Sequence, residues 1–159
     1  MDDFDLANQC LDAGEGPKAM ELFRKSAAAG RVAAMHSLGH CHLYGIGVAL
    51  DYGEAFKWFT QAAENGCPQG MYHLGICNEE GYGTLQNPKL ALEWFGKSAE
   101  RGDEDAEYRV GRCHELGIGT KPDAAKALKW YDRAASHGQA EAAGRRDELR
   151  ASGIILSPG

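Results

Sequence analysis

No apolar run in this 159-residue sequence approaches the roughly 18 residues a membrane-spanning helix needs, so no membrane partner is expected. The opening Met-Asp-Asp-Phe-Asp has no basic stretch followed by an apolar one, so no signal peptide is expected either. Basic charge is in deficit, with 17 Lys and Arg against 23 Asp and Glu, and the net charge of −6 argues against nucleic acid as partner. That deficit is local: residues 1–80 hold 11 acidic and 5 basic side chains, residues 81–159 hold 12 of each. Cysteines number five, an odd count, which speaks against a disulfide framework and for a reducing, cytoplasmic setting. Prolines are only 5, and no Gly-X-Y period is present, which excludes a collagen-like chain.

Glycine is what the sequence has in excess, at 21 residues, and it must serve turns, helix ends or close helix contacts. An apolar fraction of 43% with 25% charged residues is otherwise ordinary for one globular domain, expected over residues 1–150.

The glycines recur 36 residues apart. Gly39, Gly75 and Gly111 form one series, Gly45, Gly81 and Gly117 a second, and Gly47, Gly83 and Gly119 a third. Cys41, Cys77 and Cys113 keep the same spacing, as do Ala55, Ala91 and Ala127. Trp58, Trp94 and Trp130 follow, each trailed by an aromatic residue (Phe59, Phe95, Tyr131), and units close at Gly66, Gly102 and Gly138. The units therefore span 31–66, 67–102 and 103–138. A shortened copy occupies 1–30, where Ala19, Phe23, Ala27 and Gly30 precede their counterparts by 36 and about five loop residues are lost. A partial copy, 139–150, becomes highly charged, as a capping helix with a wet outer face should.

Each unit predicts two helices. Ala55, Phe59 and Ala62 make an i, i+4, i+7 stripe, with Asp51, Asn87 and Asp123 as N-caps and a glycine at the far end. The first helix of the unit runs from about Ala33 to Tyr44. Its central Gly39 costs about 1 kcal/mol relative to Ala, and close approach of the paired helix is the simplest reason for keeping it. Such a hairpin cannot bury its stripe alone, so stacking must complete the core. The expected fold is all-α: a right-handed α/α superhelical solenoid of about four helix-turn-helix repeats plus a C-terminal capping helix.

From Ala34 the pattern reads Ala-x-x-x-Leu-Gly-x-Cys-His-x-Tyr-Gly-x-Gly-Val-x-x-Asp-x-x-x-Ala-x-x-Trp-Phe-x-x-Ala-Ala-x-x-Gly. It resembles the Sel1-like repeat, a cousin of the tetratricopeptide repeat. The resemblance implies a non-catalytic adaptor that presents a concave groove to a protein or peptide. By analogy with tetratricopeptide packing, the groove residues are His36, His40, Tyr44, Tyr72, Ile76, Glu80, Tyr108 and Arg112. Tyr72 and Tyr108 have a competing reading, packing between units. Some cysteine-rich relatives carry a disulfide in each repeat; here one cysteine per unit, with Ala or Ser where a partner would stand, departs from them.

Other chemistry finds little support. His36 and His40, at i and i+4, share a helical face and suggest an alternative reading as a metal or small-ligand site, with His73 as a further candidate ligand. No Glu follows His36 as in His-Glu-x-x-His, however, so no metal or other cofactor is expected. Gly45-Ile-Gly47 and Gly117-Ile-Gly119 lack the rest of a nucleotide fingerprint, and no nucleophile stands with a base, so no enzyme activity is expected. Cys10, Cys41, Cys77 and Cys113 read as packing residues, and Cys67, beside Pro68, as the accessible thiol. The apolar trio Ile154, Ile155 and Leu156 is expected to cover the end of the last unit or to mediate self-association.

Overall fold

The computed structural model describes residues 1–153. Ile154, Ile155 and Leu156 lie outside them. Nine helices and no strand occur among the described residues. They fall into two compact units, Met1–Gln86 and Asn87–Gly159. The first holds α1 (Asp3–Asp12), α2 (Gly16–Ala28), α3 (Val32–Tyr44), α4 (Tyr52–Glu64) and α5 (Pro68–Glu80). The second holds α6 (Pro88–Glu100), α7 (Glu104–Leu116), α8 (Ala124–Ser136) and α9 (Ala140–Ala151).

Local chemistry sets these boundaries. The side chains of Asp51, Asn87 and Asp123 each accept a hydrogen bond at 3.0 Å from the backbone N–H three residues on, which satisfies a donor that the first helical turn leaves open. α3, α5 and α7 all stop at a glycine in the left-handed region, with φ of 66°, 78° and 72° at Gly45, Gly81 and Gly117. Two residues later, the second glycine of the turn is pressed against another backbone. A Cβ on Gly83 would lie 2.3 Å from the Tyr52 carbonyl oxygen, and one on Gly119 would lie 2.4 Å from that of Pro88. The Gly-x-Gly turn thus seats each loop on the start of the preceding repeat's second helix. Any side chain there would push the stack apart.

In the α3–α4 and α7–α8 hairpins the core is an aromatic ring against a bare backbone. Phe23, Phe59, Phe95 and Tyr131 are fully buried, and Ala19, Ala55, Ala91 and Ala127 lie beneath them. A Cβ on Gly39 would come within 2.6 Å of the Phe59 ring, and one on Gly111 within 2.6 Å of Tyr131. This is why the mid-helix glycine is kept despite its cost: the ring of the partner helix occupies the place of its side chain. The tryptophans contribute differently. Trp58, Trp94 and Trp130 are only half-buried, and cations lie over two of them, Lys97 over Trp94 at 4.5 Å and Arg133 over Trp130 at 5.3 Å.

In the second unit α9 packs on α8 as the expected cap. It buries Ala142 and Leu149, and its arginines turn toward the preceding helices. Arg150 grips both oxygens of Asp132 at 2.8 and 2.9 Å, and Arg145 reaches Glu115 of α7.

Candidate interaction groove

The first helix of each repeat carries the proposed groove residues, and none of the eight is buried. His36, His40, Tyr72, Ile76, Tyr108 and Arg112 are half-buried, whereas Tyr44 and Glu80 are exposed. Six of them belong to the first unit, Tyr108 and Arg112 to the second.

In the first unit the helical repeat places His36, His40 and Tyr44 on one stripe of α3, each four residues from the next. His40 packs on Tyr44 with ring centroids 4.6 Å apart. His73 of α5 completes a cluster of three imidazoles, its ring 5.0 Å from that of His36 and 5.9 Å from that of His40. It lies flat on the buried Phe59 at 4.7 Å and meets Tyr72 edge-on.

The contacts of His36 and His73 favour one tautomer. His73 Nδ1 lies 2.9 Å from the Gln69 carbonyl oxygen and 3.2 Å from His36 Nε2. A carbonyl only accepts, so His73 carries its proton on Nδ1 and shares it with His36 Nε2, which accepts. Burial, with the neighbouring His73 and His40, lowers His36 to about 4. Burial lowers His40 as well. Among the described residues, no three His, Cys, Asp or Glu side chains are placed so that they could hold a metal ion. His36 and His40 do come together as their spacing suggests, but the facing nitrogens of His36 and His73 are engaged with each other.

Two cavities, of about 560 and 330 Å³, flank this stripe and share His36 and Ser37. Phe4 and Asn65 wall the larger, Asn8, Leu11 and Phe23 the smaller. The α1 contribution was not visible in the sequence, because the shortened first copy obscures which of its residues line up with His36.

The same stripe of α7 in the second unit is chemically different. Tyr108 leans on Tyr131 at 5.7 Å, and its phenol is raised chiefly by burial and then by the Glu141 carboxylate of α9. Glu115 accepts a 2.6 Å hydrogen bond from the Tyr131 hydroxyl and is clamped by Arg145, which with burial opposing holds its carboxyl below the usual range; Arg112 adds to the same effect. Below the stripe, Glu107 is fully buried between Arg133 Nε at 2.7 Å and His137 Nδ1 at 2.8 Å. Its counterparts 36 and 72 residues earlier are Met71 and Met35.

The remaining singled-out residues behave as packing groups. All five cysteines are free thiols, four of them buried. Burial pushes Cys77 up to about 12, which leaves it inert as a nucleophile. Cys67, half-buried, caps α5 by accepting from the Gly70 N–H at 3.4 Å. His42 is 5% exposed and sits in the core of its hairpin, facing away from the groove stripe.

Hairpins stacked through glycine turns, with a half-exposed stripe on each first helix, define an all-α solenoid of the helical-repeat class. The family model of the Sel1 repeat matches residues 4–30, 32–67, 68–103 and 104–139, and the chain belongs to that family. Sel1 repeat proteins are generally protein-interaction scaffolds, and their fold is typically non-catalytic. A Sel1 repeat protein from Oxalobacter formigenes is 34% identical, with a TM-score of 0.84 over 90% of this chain and 58% of its own. The protein c5321, a protective antigen of uropathogenic Escherichia coli strains with an SLR fold, is 28% identical, with a TM-score of 0.92 over 96% of this chain and 34% of its own. Helicobacter pylori cysteine rich protein B, 20% identical with a TM-score of 0.66 over 82% of this chain and 94% of its own, shares the fold alone. No curated protein matches the chain. The chain thus spans less than two thirds of the first two structural relatives.

Proposed function

We propose that this chain is a non-catalytic adaptor that binds a peptide or protein segment on the face lined by the first helix of each repeat. The observation that carries the reading is the His36–His40–Tyr44 stripe, half-exposed and flanked by two cavities that share His36 and Ser37. A stripe that existed only to pack would be buried, as its neighbours Leu38 and Cys41 are at 0% and 2%. Aromatic groups held on rigid helices also suit recognition, since little side-chain freedom is lost when a partner docks. Five free thiols support placing the adaptor in a reducing compartment, the cytoplasm. The acidic balance of the first half supports a protein partner over a nucleic acid.

A displayed random-peptide library selected on the protein tests the reading. Enriched peptides are expected to bind in the micromolar range and to lose at least about tenfold on Ser37→Trp, which places an indole between the two cavities from a half-buried helical position. Peptides that bind Ser37→Trp as tightly as the parent would remove the site from this groove.

A further inference from the structure

Histidine-rich grooves are usually read as cationic or metal-binding, but the lining of this one is uncharged. Neither cavity beside His36 is lined by an Asp, Glu, Lys or Arg side chain. Each surrounding element presents a neutral group: α1 offers Phe4, Asn8 and Leu11, α2 offers Phe23, and α4 offers Phe59. From α5 come Gln69, Tyr72 and His73, and from α3 itself Tyr44; charge begins outside the two cavities, with Arg31 over the outer face of Phe4 at 4.6 Å and Glu80 at the far end of the α5 stripe near Tyr82. Two other cavities of the same unit differ. One is bounded by Asp2, Asp3 and Arg31, the other by Glu15 and Lys18.

The surroundings of His36 favour its neutral form. His36 Nε2 must accept from His73 Nδ1, because that proton is already committed toward the Gln69 carbonyl. A proton on His36 Nε2 would set donor against donor and place a cation on Phe59 and two other rings, with no carboxylate at hand. The folded protein resists it: His36 is lowered to about 4, so it stays uncharged through neutral and mildly acid conditions.

From the uncharged lining and the hydrogen-bond polarity of the cluster, we infer that this groove takes an uncharged peptide segment, seating an apolar side chain beside neutral imidazoles while Asn8, Asn65 and Gln69 face its backbone. The inference rests on the groove being the partner site and names the class of partner. A charged side chain entering here would lose its hydration without gaining a counter-charge. The cavity sizes fall within the range of about 300–1,000 Å³ typical of ligand sites.

Four probes decide it: the N-acetyl amides of tryptophan, leucine, glutamate and lysine, titrated into the isotope-labelled protein and read on the amides of Ser37, Cys41 and Gln69. The tryptophan and leucine probes are expected to shift these amides at millimolar concentration, at least about tenfold more tightly than either charged probe. Their affinity is expected to be flat from pH 8 to pH 5.5 and to fall only as pH 4 is approached. Titration of the imidazole carbon signals in the free protein provides the companion measurement, with His36 expected to titrate near pH 4. Tighter binding of the glutamate probe, or affinity that rises as pH drops below 6.5, would overturn the inference in favour of a cationic groove. If no neutral probe shifts these amides while a library-selected peptide does, the class assigned here is wrong and the groove survives as the partner site. A rise in melting temperature with Zn²⁺ that EDTA reverses would show the imidazoles to be ligands and would equally overturn it.

Discussion

The stripes on α3 and α7 occupy the same place in the same repeat, yet one is neutral and the other is laced with charge. On α3, His36 and His40 pair with rings and amides. On α7 the same positions hold Tyr108 and Arg112, and Glu115 is tied to Tyr131 and to Arg145 of the cap. The contrast continues beneath the stripe, where Met35 and Met71 give way to Glu107 held by Arg133 and His137. Both α3 and α7 run 13 residues and end at a left-handed glycine, because the glycine turns and the buried aromatic ring set their bounds independently of these positions. A helical repeat can therefore leave its stripe neutral in one copy and tie it to its own terminal helix in a later one.

The largest effect should come from the charged core of the second unit. Arg133→Ala leaves a carboxylate buried with only His137 beside it and is expected to cost about 3 kcal/mol in urea unfolding. Glu107→Met, which restores the residue of the earlier repeats, is expected to be neutral or stabilising when combined with Arg133→Gln, the residue at Gln61. A loss of several kcal/mol in that double variant would show that the pair stabilises the unit beyond what packing supplies.

Next come the glycines that meet a ring. Gly39→Ala and Gly111→Ala each place a methyl 2.6 Å from an aromatic carbon and are expected to destabilise by about 1–3 kcal/mol, even after the gain in helix propensity. Gly96, also mid-helix, has nothing within 4 Å of a would-be Cβ, so Gly96→Ala is expected to stabilise by about 0.5–1 kcal/mol. Matching effects at the two kinds of site would contradict the role given to the ring.

The smallest effect is pH-dependent and separates the units. Glu115, held below its ordinary value of 4.5 by Arg145, binds fewer protons folded than unfolded as that value is approached. Its stabilisation is therefore full above pH 4.5 and is lost as pH falls through the lowered folded value. Arg145→Met should cost about 1 kcal/mol at pH 7 and flatten that acid loss, read as hydrogen exchange in α7 and α9 from pH 7 to pH 3. An unchanged acid profile would mean that Arg145 and Glu115 are not paired in solution.

The fold was legible because its signals are local and repeat. A capping Asp or Asn, a glycine turn and an aromatic on an alanine stripe recur at one period, and α3 begins one residue from where the pattern places it. The i, i+4 relation of His36 and His40 was likewise local. The rest of the site was not, because it depends on which helices become neighbours. His73 joins His36 across 37 residues, and Asn8 and Leu11 come from the copy whose loop is shortened. Glu107 stands where Met35 and Met71 stand in the earlier repeats, so the period marks the position as buried but not the Arg133 and His137 that pair with its carboxylate.

The most direct test of the account is to map, by amide chemical shifts, where a library-selected peptide binds the full chain. The account predicts shifts concentrated on α1, α3 and α5 around Ser37, His40 and Gln69, with α7 little changed. Shifts centred instead on Arg112 and Glu115, or on the outward faces of α2 and α4, would contradict it.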